Sequence, residues 1–180
     1  KQIHLTFETE KLIKVINDYK PEYILNFAAL AYATSWHDSH RYYDTNITAV
    51  SKVVESLYDK KFLKQFLQIG SSEIYGATNQ PAKETDQPKP TSPYSISKLG
   101  MEGLCKILAQ ELESDKIIVN TVNPGGTATK MRKQAIPDED QSKIPQPEDI
   151  LPIILYLCSN EAHVTSQSFN ARDFIGHLKF

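Results

Sequence analysis

The stretch Ser92-Pro93-Tyr94-Ser95-Ile96-Ser97-Lys98 sets a phenol and an amine four residues apart. On a helix such a pair shares one face, so the Lys98 ammonium can lie near the Tyr94 oxygen. An isolated tyrosine titrates near pH ~10 and is a poor base in neutral solution. A fixed positive charge beside it favours the phenolate and suits it to moving a proton on and off a substrate hydroxyl or carbonyl. The same spacing also arises by chance in many helices. Ser71, in Ile69-Gly70-Ser71-Ser72, adds a hydroxyl that can hold a substrate oxygen while Tyr94 moves the proton. A plain strand-to-loop turn would also explain it. Glu73 shares the parity of Ser71 along an extended chain and would then face the same crevice; otherwise it is a solvated loop carboxylate.

These groups depend on the elements that carry them. Residues 8–20 place Leu12, Ile13, Val15, Ile16 and Tyr19 on one helical face, and residues 44–62 place Ile47, Val50, Val53, Val54 and Leu57 likewise. Residues 23–29, 62–72 and 116–124 contain apolar runs of strand length, buried on both faces. A polar, proline-rich loop over 76–93 leads into a long helix from Tyr94. Residues 147–159 form another helix, with acids in its first turn as the macrodipole favours, and 166–172 offer a last short strand. Helices alternating with doubly buried strands predict an α/β fold, a doubly wound parallel sheet with helices on both sides. Ligands bind such sheets beyond the carboxyl ends of the strands. The residues found there are Ala28-Ala29-Leu30, Ser71 to Gly76, and Asn123 to Thr129.

Composition narrows the function classes. With 180 residues, 40% hydrophobic and 23% charged, the chain has the makeup of one globular domain spanning 1–180. A net charge of −2 and scattered lysines give no electrostatic case for nucleic acid or an anionic membrane. No apolar run reaches the ~18 residues of a membrane span and no signal peptide is visible, so a cytoplasmic, reducing setting is expected. Cys105 and Cys158 lie in apolar helical stretches and are expected as buried thiols. His4, His37, His40, His163 and His177 show no metal-ligand spacing. Trp36, Tyr32, Tyr42 and Tyr43 either shape a pocket or simply pack.

Ile69-Gly70-Ser71-Ser72-Glu73-Ile74-Tyr75-Gly76, followed by Pro93-Tyr94 and Lys98, resembles the short-chain dehydrogenase/reductase superfamily. Over residues 10–100 the likeness is to its extended, nucleotide-sugar epimerase/dehydratase branch. A strand ending in Ala28-Ala29 and a helix opening around Asn46 are part of it. The resemblance implies a Rossmann-like domain and an NAD- or NADP-dependent oxidoreductase acting on a nucleotide sugar. It casts Ser71 as the holder of the reacting oxygen, Tyr94 as the acid/base, and Lys98 as its tuner and a contact of the nicotinamide ribose. Ala28 and Ala29 would line the cofactor groove, with Asn46 behind as a structural or relay group. Glu73 matches a carboxylate that removes a sugar proton in the 4,6-dehydratases; 4-keto-sugar reductases carry a similar segment.

From residue 100 to 172 the likeness shifts to the single-domain branch. By that likeness Pro124, Gly125, Thr127 and Thr129 contact the cofactor. An alcohol/ketone oxidoreductase is therefore a second reading, and a non-catalytic scaffold of this fold a third. The glycines stand at 70, 76, 100, 103, 125, 126 and 176, and none forms the Gly-rich phosphate turn of the superfamily. About two βα units, roughly 50–60 residues at ~30 per βαβ, are expected to be missing. The chain is then a fragment or holds the dinucleotide differently. A homodimer through the long helix is expected by analogy.

Overall fold

The computed structural model describes residues 5–31, 38–77 and 82–177. His4, Tyr32, Trp36 and His37 lie outside the described residues. Four strands, β1 (Tyr23–Asn26), β2 (Gln65–Ile69), β3 (Ile118–Asn123) and β4 (Ser168–Asn170), form one sheet in the order β1-β2-β3-β4. Every pairing is parallel, with Asn26 opposite Gln68, Ile69 opposite Val122 and Asn123 opposite Asn170. The strands therefore end along one rim, as expected for a parallel α/β sheet.

Helices cover both faces. On one, α1 (Leu5–Tyr19), α3 (Ala49–Glu55) and α4 (Pro93–Glu111) enclose Phe66 and Val119 with Ile16, Val50, Leu57 and Leu108. On the other, α6 (Pro147–Leu157) packs Ile153, Ile154 and Leu157 against Leu67 and Val122. Burying such a side chain contributes about 1.5–3 kcal/mol, so these two clusters supply most of the drive to fold. The strand order steps in one direction while the connecting helix changes face. The β3–β4 connection thus has the hand opposite to the two before it.

Three expectations need correction. Residues 27–29 are not strand, and β1 is only half-buried, with Leu25 39% and Phe27 60% exposed. Among the described residues β1 pairs on one side only. On α1, Val15 and Tyr19 point outward at 45% and 81% exposure, because the helix touches the core along the narrower stripe of Leu12, Ile13 and Ile16. The single helix expected over 44–62 is α2 (Ser39–Tyr43), a π-helical turn (Asp44–Thr48) and α3 in succession. The wider turn aims fully buried Asn46 inward. The cysteines form no disulfide; Cys105 is buried, while Cys158, just past the end of α6, is half-exposed. The family likeness changes near residue 100, yet β2 and β3 join across it in one continuous ladder.

Candidate active site

The site begins where β2 stops. Gly70 is buried, and a Cβ there would meet Thr121 Cγ2 at 2.8 Å and Glu102 Oε1 at 3.0 Å, so only a glycine brings the strand end this close to its neighbours. Ser71 is extended, and its hydroxyl accepts from the Glu73 backbone at 3.3 Å, opening a 3₁₀ turn over Ser72–Tyr75. The chain does not stay extended past Ser71, so strand parity is not what orients Glu73. Its carboxylate still acts on the Tyr94 phenol and on Arg132.

α4 starts on Ser92, whose hydroxyl accepts from the Ser95 backbone at 3.1 Å while Ser95 Oγ accepts from Ser92 at 2.9 Å. Pro93 occupies the first turn, where a missing N–H costs nothing. The helix start and the chemistry use different residues of one motif: the serines and proline fix the entry, leaving Tyr94 and Lys98 to project. The Ser71 hydroxyl is near enough to the Tyr94 phenol to pull its titration downward. The Lys98 ammonium lies 5.9 Å from the centre of the Tyr94 ring and donates to the Ile69 carbonyl at 2.9 Å. Tyr42 packs edge-on against Tyr94, ring centres 6.4 Å apart and planes at 67°.

Electrostatics departs from expectation in one respect. Burial pushes the Tyr94 phenol above its usual value, the Ser71 hydrogen bond pulls it back, and the Glu73 carboxylate pushes it up again. The Lys98 charge sits over the ring and on the Ile69 carbonyl, away from a direct contact with the oxygen. Its own burial lowers it to about 8, against the pull of Glu102 and Cys105. The Ser71 hydroxyl favours the phenolate.

Asn46 sits behind the pair, as a relay or structural group would. Its Oδ1 accepts from the Leu30 backbone at 2.8 Å, and its Nδ2 donates to the Leu30 carbonyl at 3.1 Å and to Ser97 Oγ at 2.9 Å. One amide thereby joins the turn after β1, the π turn and α4. Ala28, exposed, and Ala29, half-buried, lie in that turn. Pro124 and Gly125 follow β3 on the same rim, Gly125 with φ +68°. Thr127 is buried and donates weakly, at 3.4 Å, to the carbonyls of Pro124 and Gly125. Thr129 stands apart as the exposed N-cap of α5 (Lys130–Ala135), accepting from Arg132 at 3.2 Å. Ser71, Tyr94 and Lys98 thus lie together with Asn46 behind them, joined to α4 through Ser97; Ala28, Ala29 and the 124–129 segment border them.

Two groups escaped the reading of the sequence. Ser97 carries the Asn46 contact and donates to the Tyr94 carbonyl at 2.7 Å. Glu102 is a buried carboxylate one turn past Lys98, and that i, i+4 spacing was the signal available for it. Among the described residues no cluster of ligating side chains could hold a metal.

A profile of the NAD dependent epimerase/dehydratase family matches residues 3–145. The chain belongs to that family. It is therefore a short-chain dehydrogenase/reductase superfamily protein, as the motif around Tyr94 implied. It is 40% identical over 80 residues to the oxidoreductase YciK of Escherichia coli K12, covering 44% of this chain and 31% of that one. It is 27% identical over 176 residues to a UDP-glucose 4-epimerase of Lacticaseibacillus casei, covering 91% of this chain and 50% of the epimerase. The chain spans half or less of the length of both relatives. A short-chain dehydrogenase of E. coli CFT073, solved with NADPH, shares its fold at TM-score 0.76 and 24% identity over 95% of this chain and 73% of the other.

Proposed function

We propose that the chain carries the proton-transfer centre of an NAD(P)-dependent oxidoreductase of this superfamily. One observation supports this above the rest: Tyr94 with Lys98 over its ring and the Ser71 hydroxyl acting on its phenol, at the rim where a parallel sheet takes its ligand. The residues present suit the nicotinamide end of the dinucleotide. Lys98 gives one of its three N–H groups to Ile69 and keeps others to offer a ribose, while Ala28, Gly125 and Thr127 border the same rim. The dinucleotide, when bound, supplies or takes up the hydride. Ser71 holds the substrate oxygen. Tyr94 gives that oxygen a proton during reduction and removes one during oxidation. Asn46, through Ser97, holds the first turns of α4 against the β1 turn.

For the substrate, Glu73 favours a nucleotide sugar: a carboxylate on the turn that follows Ser71, whose charge reaches the phenol, can take a proton from the carbon next to the oxidised one. The family match points the same way. The similarity to a 3-oxoacyl-[acyl-carrier-protein] reductase and an acetoacetyl-CoA reductase, each 31% identical, favours net alcohol/ketone oxidoreduction. Incubation of the full polypeptide with NAD(P) and candidate substrates separates the two. A nucleotide sugar converted without net change in NAD(P)H supports the first; stoichiometric NAD(P)H consumption with ketones supports the second. Failure of the polypeptide to bind either dinucleotide in calorimetry would leave only a scaffold. A homodimer fits the exposed stripe Ile96, Gly100, Gly103, Ile107 on α4, and sedimentation tests it. A reducing, cytoplasmic setting fits the two unpaired thiols.

A further inference from the structure

α4 buries a second ionisable group for which the reaction has no task yet. Glu102 is 6% exposed, and its carboxylate fills the space a side chain at position 70 would need, 3.0 Å from that Cβ position. Its other oxygen accepts from Ser168 Oγ on β4 at 3.5 Å. Beside it lies a cavity of about 10 Å³, shared with Tyr75, Glu84, Asn123, Ser168 and Asn170; that is room for about one water. A carboxylate in such a place loses several kcal/mol of hydration unless cations and donors answer it.

Lys98 has the mirror problem, at 3% exposure with the Ile69 carbonyl as its hydrogen-bond acceptor. The charged and titratable groups around this pair are few. On α4 they are Tyr94, Cys105 and Lys106; from the turn after β2 comes Tyr75, and from the following loop Glu84 and Asp86. The sheet contributes the uncharged Thr121, Asn123, Ser168 and Asn170. Glu102 is the carboxylate acting on Lys98, one helical turn below.

We propose that Glu102 is a positioning residue for Lys98: wedged beneath Gly70 and tied to Ser168, its carboxylate keeps the ammonium charged and seated on the Ile69 carbonyl. Burial alone drives the Lys98 ammonium towards neutrality, and the Glu102 charge opposes that drift. Because Gly70 precedes Ser71, the same carboxylate also fixes the height of the strand end that carries the Ser71 hydroxyl. The consequence for turnover rests on the reading of Tyr94 and Lys98 given above; the hold on Lys98 does not.

The test is a titration of Lys98 by NMR of ε-¹³C-lysine in the full chain, the resonance assigned with Lys98→Arg. Glu102→Gln keeps the shape and removes the charge, and the Lys98 proton affinity should fall roughly tenfold. Glu102→Asp should move it less than threefold. An unmoved Lys98 midpoint in Glu102→Gln overturns the inference. If Glu102→Gln does not fold, Ser168→Ala decides, since a carboxylate deprived of its donor is less ionised. Lys98 must then shift in the same direction by a smaller factor, and no shift overturns the inference. In turnover, the alkaline limb of the rate–pH profile should follow Lys98. A lysine that shifts while the limb stays put overturns its role in the reaction and leaves the hold of Glu102 on its charge intact.

Discussion

The two halves of α4 are buried equally deeply by different means. From Ser95 to Glu102 the buried positions are Ser95, Ser97, Lys98, Met101 and Glu102, four of the five polar. From Cys105 to Leu112 they are Cys105, Leu108, Ala109 and Leu112. The first half is held by bonds to named partners: Ser92, Asn46, Ile69 and Ser168. The second is held by area against α1, α3 and β3. Hydrogen bonds are strict about direction and distance, whereas apolar burial is tolerant of both. One half of the helix is therefore suited to place reacting atoms, and the other to keep the helix docked while they react.

The sharpest break between the halves is kinetic. Tyr94→Phe keeps the ring against Tyr42 and removes only the phenol oxygen on which Ser71 acts. Turnover should fall by roughly 10²–10⁴, the range for losing a positioned acid/base, with the thermal midpoint nearly unchanged. In the other half the pattern should invert. Leu108→Ala empties a position 3% exposed and should cost about 2–5 kcal/mol by denaturant midpoint. Turnover per folded molecule should stay near that of the parent. A Tyr94→Phe protein retaining most of its rate would erase the distinction.

The halves also carry one strongly shifted group each, moved in opposite directions by the same cause. Burial lowers Lys98 from 10.5 to about 8 and raises the Cys105 thiol from 9.0 to about 12. Between pH 8 and 10.5 the unfolded chain binds a proton at Lys98 that the folded chain has released. Stability therefore rises with pH there, by at most about 1.4 kcal/mol per pH unit. Between pH 9 and 12 the folded chain keeps the Cys105 proton that the unfolded chain loses, so that contribution falls. From pH 8 to 9 the Lys98 gain should stand alone; above 9 the two oppose. Lys98→Met should abolish the rise and leave the fall, read as denaturant midpoints across that range.

The sequence made the area-held half legible and the bond-held half only in part. Apolar runs announced β2 and β3, and the 3.6 period announced α1 and α3, because burial repeats with the element. The same periodicity misjudged Val15 and Tyr19, since period gives a face but not how much of it is covered. β1 read as doubly buried because its composition is apolar, yet neighbours decide burial. Ser71, Tyr94 and Lys98 were visible from type and spacing, and Asn46 from family likeness. The π turn around Asn46 left no signature in residue types. The direction of the Tyr94 shift was misjudged because burial pushes the phenol up, and spacing does not show burial. Glu102 reads as one more helix glutamate until the fold closes over it.

Gly103 lies at the junction of the halves and belongs to neither. A Cβ there meets nothing within 4 Å, whereas one at Gly100 meets Ile47 Cδ1 at 2.8 Å. Both glycines sit inside α4 without a positive φ, so each carries the entropic penalty of a helical glycine, roughly 0.5–1 kcal/mol relative to alanine. Gly103→Ala should recover that amount in full, seen as a small rise in thermal midpoint in dilute solution with turnover unchanged. Gly100→Ala should recover less, because the Ile47 methyl must swing aside and Ile47 belongs to the π turn that holds Asn46. A helix held here by area alone would absorb that displacement without kinetic effect. One held by the Asn46–Ser97 bond should pass it on as a few-fold loss of rate at Gly100→Ala and none at Gly103→Ala, so this smallest pair of effects marks where on α4 the placement of atoms begins to matter.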